Sequence, residues 1–374
     1  MKQYLKQCVF LVVFASSLIF ISLSSSKDQN AEKPAGNKWI TLSPMTEPRN
    51  GASAVTSGDY IYVIGGLNST GYLKSVERAK IRENGDVGPW TLVGSLPSNR
   101  GWGASIVTRG FLYVAGGTNE ENGEAILGDV LRAKINSDGT LERWVKEKNG
   151  MTTPRRGFAL VEANGYLYVI GGYNGNLLKT VERAMIAPDG SIGQWMPATP
   201  MKMERYLLSA SAYQGHLYAL GGHFLDGTAT NTVERAEIKK DGSLGEWLPA
   251  SSMLNPKFTA SAVIVDDSIY VLGGVEGSSI LKTSEKAAIR PDGTLGPWHE
   301  EKEQLTKPRS GMGVAFTNDR IYLIGGASFD KLFDDGEWAM ITPSGEIRPF
   351  RPTSHAARQR YGSSALAAKG NLYV

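Results

Sequence analysis

Cysteine is almost absent: the 374 residues contain one, Cys8. It lies inside an apolar N-terminal run, so the rest of the chain can form no disulfide, thiolate metal site or cysteine nucleophile. Histidine is nearly as scarce. Of the four, His216 and His299 fall in or beside strand-like segments, His355 in a polar stretch, and only His223 in a variable loop. That is too little for a histidine–carboxylate cluster, so no metal and no cofactor is expected. An excess of one charge is missing too. The formal charge is +3, and setting aside residues 1–26 leaves 38 basic against 37 acidic residues. Such a body has no electrostatic reason to seek nucleic acid or an anionic membrane.

Long uncharged apolar runs are limited to one, Cys8 to Leu23. Behind Lys2 and Lys6 and ahead of Ser24-Ser25-Ser26, it reads as a cleaved export signal or, if retained, as a membrane anchor over residues 8–26. Either reading puts the body outside the cytoplasm, whether secreted, periplasmic or anchored. Residues 27–38, polar with Pro34 and Gly36, read as a linker to a domain spanning 39–374.

Glycine is what the chain has in excess, 44 residues, about 12% against an average near 7%. Much of it falls in one recurring phrase: YIYVIGG ending at Gly66, FLYVAGG at Gly117, YLYVIGG at Gly172, HLYALGG at Gly222, SIYVLGG at Gly274 and RIYLIGG at Gly326. A seventh copy begins at Asn371-Leu372-Tyr373. The glycine pairs recur at intervals of 51, 55, 50, 52 and 52 residues. A second phrase keeps step, as in Val181-Glu182-Arg183-Ala184, Asp189-Gly190 and Trp195. A third marker is a basic residue before a run of small ones: Arg49, Arg100, Arg155, Arg205, Lys257, Arg309 and Arg360.

Each unit reads as four strands. The first is short and small-sided; the second, apolar throughout, suits a strand covered on both faces. The third carries Val-Glu-Arg-Ala and the fourth the tryptophan, with the Asp-Gly between them read as a two-residue hairpin. Four antiparallel strands repeated about an axis make an all-β propeller. Seven second strands predict seven blades with the last incomplete, and Trp39, in an orphan fourth strand, is expected to join Leu372-Tyr373 and close the ring.

These phrases resemble the kelch-repeat family, with a period near 50 rather than that of WD repeats. The resemblance covers 39–374, although Val-Glu-Arg-Ala departs from the commoner third strand ending in Tyr-Asp. Kelch propellers that hold peptides use the loops after the glycine pair and around the basic marker. Here that face carries Asn50, Asn68, Trp102, Asn119, Arg156, Tyr173, Asn174, Tyr206, His223, Phe224, Phe258, Glu276, Ser310 and Tyr361. The implied activity is non-enzymatic binding of a protein, peptide or glycan by a monomer, the basic markers being structural. The alternative is a metal-free sugar mutarotase or epimerase using Arg156, His223 and Glu276. The copper oxidases of this shape need a tyrosine–cysteine cofactor, which a chain without cysteine after position 8 cannot build.

Overall fold

The computed structural model describes residues 45–49, 51–82, 88–119, 125–317, 319–331, 333, 335–352, 366–368 and 371–373. They form six antiparallel four-stranded sheets, each in sequence order from the inside outwards. Blade three shows the plan: Ala159–Ala163, Tyr166–Ile170, Val181–Met185 and Met196–Ala198. Blades one, two, four, five and six occupy 53–95, 104–146, 209–250, 261–300 and 313–352. The first strands line the axis and lie against those of neighbouring blades, and Ser209 Oγ donates to the Ala260 carbonyl where blade four meets blade five.

The blade count corrects the expectation of seven. Where a seventh blade would stand there is one hairpin, Leu366–Ala368 paired with Asn371–Tyr373. Its first strand sits between the first strands of blades six and one. Two described strands supply the inner half of a blade and complete the circle at the axis, but they do not make a four-stranded sheet. Trp39 lies outside the described residues.

The Val-Glu-Arg-Ala phrase is a list of four jobs. Val181 and Ala184 are buried between neighbouring sheets. Glu182 pairs with the basic marker of its own blade, described below. Arg183 reaches forward to the next blade, donating to the Asp241 carbonyl at 2.5 Å while lying 5.3 Å over the Tyr166 ring. Tyr168, from the second strand, donates to the Gly242 carbonyl of that same turn at 2.7 Å. The tyrosine clasp recurs as Tyr62 to Gly139, Tyr113 to Gly190, Tyr218 to Gly293 and Tyr270 to Gly345, at 2.6–2.9 Å. Burial pushes the Tyr62, Tyr113, Tyr168 and Tyr218 hydroxyls up to about 12, so they remain donors at any physiological pH.

The Asp-Gly turn is therefore a socket, and its geometry corrects the two-residue hairpin. Ala187 N–H bonds to Ser191 O and Gly190 N–H to Ala187 O, inside an Ile186–Ile192 bridge. That is a three-residue loop ending in a glycine at φ +80°, the type I turn with a bulge. The glycine is required because a Cβ on Gly190 would run into the Phe111 ring of the preceding blade. True two-residue turns join strands one and two instead: Asn164-Gly165, with φ +52° and +82°, and Gln214-Gly215, with +45° and +74°.

Candidate binding face

The basic markers hold up the face without being part of its surface. Arg155 is fully buried; it donates to Gly171 O at 2.7 Å and pairs with Glu182 at 2.6 Å. Glu182 also accepts from the backbone of Thr152 and Thr153. Burial alone would raise its carboxyl, but the Thr152 and Arg155 hydrogen bonds outweigh it and hold the group below its ordinary 4.5. The same arrangement joins Arg49, Gly65 and Glu77; Arg205, Gly221 and Glu234; and Arg309, Gly325 and Glu337. Arg100 bonds Gly116 O and uses Asp129 as its acid.

Blade five departs from this. Lys257 pairs with Glu285 at 2.6 Å and donates to Thr283 Oγ1, but no bond from it to Gly273 O is found among the described residues. An ammonium is a point charge, whereas the guanidinium fork serves carboxylate and carbonyl together. Lys257→Arg is thus expected to raise stability by about 1 kcal/mol, the usual net value of one hydrogen bond. Matched denaturant titrations would show it; an unchanged or lower midpoint would mean that blade five has no room for the fork.

Among the described residues the two loop sets meet as short backbone bridges, one in each of blades two to six. Arg156 pairs with Tyr173, Tyr206 with His223, Phe258 with Val275, and Ser310 with Ala327. Their side chains form a row across blades three to five. The Arg156 guanidinium lies 5.3 Å over Tyr173; Tyr173 is 5.6 Å from Tyr206, Tyr206 is 6.3 Å from His223, and His223 is 4.4 Å from Phe258. Tyr206 and Phe258 are 5% exposed and form the floor, with Leu207 beneath. Arg156, Tyr173, His223, Phe224 and Glu276 are half-buried, and Asn174 is exposed. Burial pushes the His223 imidazole below its ordinary 6.5 against the opposing pull of Asp226, so it is neutral at pH 7. Among the described residues its buried Nδ1 has no hydrogen-bond partner, and neither has Asn119 Oδ1 in blade two.

The other expected residues are placed less suggestively. Asn68 Oδ1 accepts from Thr70 and shapes a tight turn, and Asn174 Oδ1 does the same for Asn176. Trp102 and Ser310 are buried. Asn50 and Tyr361 lie outside the described residues. Of the residues of the enzymatic alternative, Arg156 lies over Tyr173, His223 packs against Tyr206 and Phe258, and Glu276 follows the Val275 that bridges to Phe258. Among the described residues no group of three metal-ligating side chains occurs and no helix is long and apolar enough to cross a membrane.

A collar around the axis is a feature the sequence reading passed over. Two residues after each of the six markers from Arg49 to Arg309 the backbone turns left-handed: at Gly51, Gly157 and Gly311 in blades one, three and six, and at Trp102, Leu207 and Thr259 in blades two, four and five, the last three at φ +59°, +56° and +48°. The N–H groups of Trp102, Leu207 and Gly311 donate to Gly51, Gly157 and Thr259, tying blades in pairs. Trp102 covers Gly51, and Tyr206 with Leu207 covers Gly157. A void of about 10 Å³ beside Thr259 has room for roughly one water. Glycines at one fixed offset from the basic marker, among them Gly51, Gly157 and Gly311, are the only trace of it in the sequence.

A family model described as "Kelch motif" matches residues 48–78 and 154–183, each stretch running from just before the basic marker through Val-Glu-Arg. Kelch-repeat proteins match far more of the chain. It is 25% identical over 286 residues to beta-scruin of Limulus polyphemus, 73% of this chain and 30% of scruin. It is 24% identical over 267 residues to Kelch-like protein 36 of Mus musculus, 68% of this chain and 41% of that one. The chain belongs to the kelch-repeat family. This kelch chain thus spans less than half the length of those relatives. Its fold is also that of the solved structure of YjhT, with a TM-score of 0.62 and 18% identity over 83% of this chain and 99% of that one.

Proposed function

We propose that this kelch propeller is an extracytoplasmic interaction module that binds a protein or peptide on its marker-side face. The observation that carries the reading is the row Arg156–Tyr173–Tyr206–His223–Phe258: a cation, a neutral imidazole and aromatic edges, held on a buried floor. Such a surface suits a partner combining hydrogen-bonding groups with an apolar anchor. Exposed Leu225 beside it and Phe329 in blade six add apolar area. The opposite face repeats the same short turns in blade after blade, as a scaffold does. The export reading of residues 1–26 supports the location.

A photo-crosslinking residue placed at Asn174 or Leu225 is expected to trap a protein partner in the producing organism, and one at Lys240 on the opposite face is not. Arg156→Ala and His223→Ala should each cut the yield about tenfold, the effect of removing roughly 1.4 kcal/mol of contact, with the melting temperature retained. Trapping at Lys240 alone, or insensitivity to both substitutions, would move the site elsewhere.

A further inference from the structure

Asparagine followed by glycine occurs three times among the described residues, at 149–150, 164–165 and 174–175. The pair is chemically reactive. The backbone nitrogen after the asparagine can attack the side-chain amide carbon: a new N–C bond forms, the amide C–N bond breaks, and ammonia leaves with the proton that the backbone nitrogen gives up. Water then opens the resulting five-membered imide to aspartate or to isoaspartate. Glycine is the permissive neighbour because it has no Cβ to crowd the approach and turns freely about φ. What the attack needs from the fold is an unoccupied N–H and a loop that can move.

Two of the three pairs are denied those conditions. Gly165 N–H donates to Glu162 Oε1 at 3.1 Å, in a turn pinned by the pairing of Ala163 with Tyr166. Asn149 Nδ2 donates to the Ile192 carbonyl of blade three at 3.4 Å. The Gly150 backbone is packed so closely on Gly128 that an added Cβ would stand 2.7 Å from its carbonyl oxygen. The third pair differs on each count. Asn174, Gly175 and Asn176 are all exposed, and a Cβ on Gly175 would meet nothing within 4 Å. Among the described residues no hydrogen bond from Gly175 N–H is found. The Asn176 N–H, donating to Asn174 Oδ1 at 3.2 Å, draws electrons away from the carbon to be attacked.

We propose that Asn174 is a self-modification site, at which the fold directs deamidation onto the marker-side face. The product is a carboxylate one residue from Tyr173, and Arg156 lies 5.3 Å over that ring. A negative charge thus arrives at the cationic end of the row, where it competes with the partner for the Arg156 guanidinium. In the isoaspartate form the main chain also gains an atom inside the Tyr173–Leu177 bridge, which loosens the loop carrying Tyr173. The face changes as the molecule ages, from a cationic end to a neutralised one. This consequence rests on the row being the binding face; the reaction itself does not.

The test holds the purified chain in mildly alkaline buffer, where the attacking nitrogen loses its proton more readily. Peptide mapping by mass spectrometry follows the amide-to-acid mass change at each asparagine. The expected result is conversion at Asn174 at least about tenfold faster than at Asn149 or Asn164, which react only through local opening. In denaturant the three rates should converge, because only the Asn-Gly sequence then matters. Equal rates in the folded chain, or a faster reaction at Asn149 or Asn164, overturn the site. For the consequence, Asn174→Asp is compared with Asn174→Gln, which cannot close a five-membered ring, using the crosslinking residue at Leu225. The yield is expected to fall several-fold with Asn174→Asp and to hold with Asn174→Gln; an unchanged yield with Asn174→Asp overturns the effect on binding. Absence of any crosslink in the unmodified chain would sink the binding face and leave the Asn174 rate standing, so the two failures are told apart.

Discussion

Arg155→Ala is expected to lower the unfolding free energy by about 3–5 kcal/mol, the usual cost of stranding one half of a buried ion pair. Glu182 would be left without its cation, and the Gly171 carbonyl would lose its donor. Denaturant unfolding followed by tryptophan fluorescence would read the loss directly. Arg155→Lys should fall between, because it reproduces the arrangement that blade five already has at Lys257. The paired replacement Arg155→Met with Glu182→Leu should recover only part of the loss: it removes the stranded charge but leaves the Gly171 carbonyl and the Thr152 and Thr153 N–H groups without these side-chain partners. A single substitution costing under 1 kcal/mol would mean that water reaches the pair.

The same pair sets an acid limit. The Glu182 and Glu77 carboxyls are held below their ordinary value in the folded state, so they bind protons more readily once unfolded. Their contribution is complete above pH about 4.5 and is lost as pH falls through the depressed folded value. Stability of the wild type should fall in that acid window more steeply than that of the Met/Leu pair.

Trp247→Ala carries the second large effect. Its side chain is fully buried between blades three and four, packed with Tyr168, Leu208 and Leu217, and its Nε1 donates to Thr199 O at 2.8 Å. Deleting a buried aromatic costs about 3–5 kcal/mol, which for a body of this size corresponds to a drop on the order of 10 °C in melting temperature. Trp247→Phe keeps most of the packing and loses the hydrogen bond, so about 1–2 kcal/mol is expected there. Equal losses from both substitutions would show that the indole N–H, not the ring, holds the seam.

Much of this framework was legible because each repeated residue type does one repeated job. The apolar second strand is covered on both faces, the glycine pair sits where the Arg155 backbone crowds it, and the basic marker is buried. What stayed hidden depends on neighbours in space. Asp-Gly looks like a two-residue turn in isolation, yet its glycine is there to clear Phe111 or Tyr166 of the blade before. Residues such as Leu207 and Thr259 adopt positive φ with no glycine to announce it. At the candidate face, Tyr206 and Phe258 were recognisable as loop aromatics. That they form the floor while Arg156 and His223 stay half-open follows from the glycine of an adjoining blade, Gly157, whose missing side chain makes room for Tyr206. The difference between Asn174 and Asn164 was equally out of reach, since both read as Asn-Gly until Gly165 N–H finds its Glu162 partner.

The forward clasp gives each of the first five units a direction. A stretch of about fifty residues carries a plug, Tyr168 with Arg183, and a socket, the Asp189-Gly190 turn that takes Tyr113. A tandem copy of such a stretch arrives with both halves of its joint already matched, so a propeller of this kind can grow by duplication without inventing an interface. The same polarity makes drift asymmetric. A change in a turn is felt by the blade before it and a change in the tyrosine by the blade after, so co-variation should run between positions about 75 residues apart, the spacing that separates Tyr62 from Gly139 and Tyr218 from Gly293.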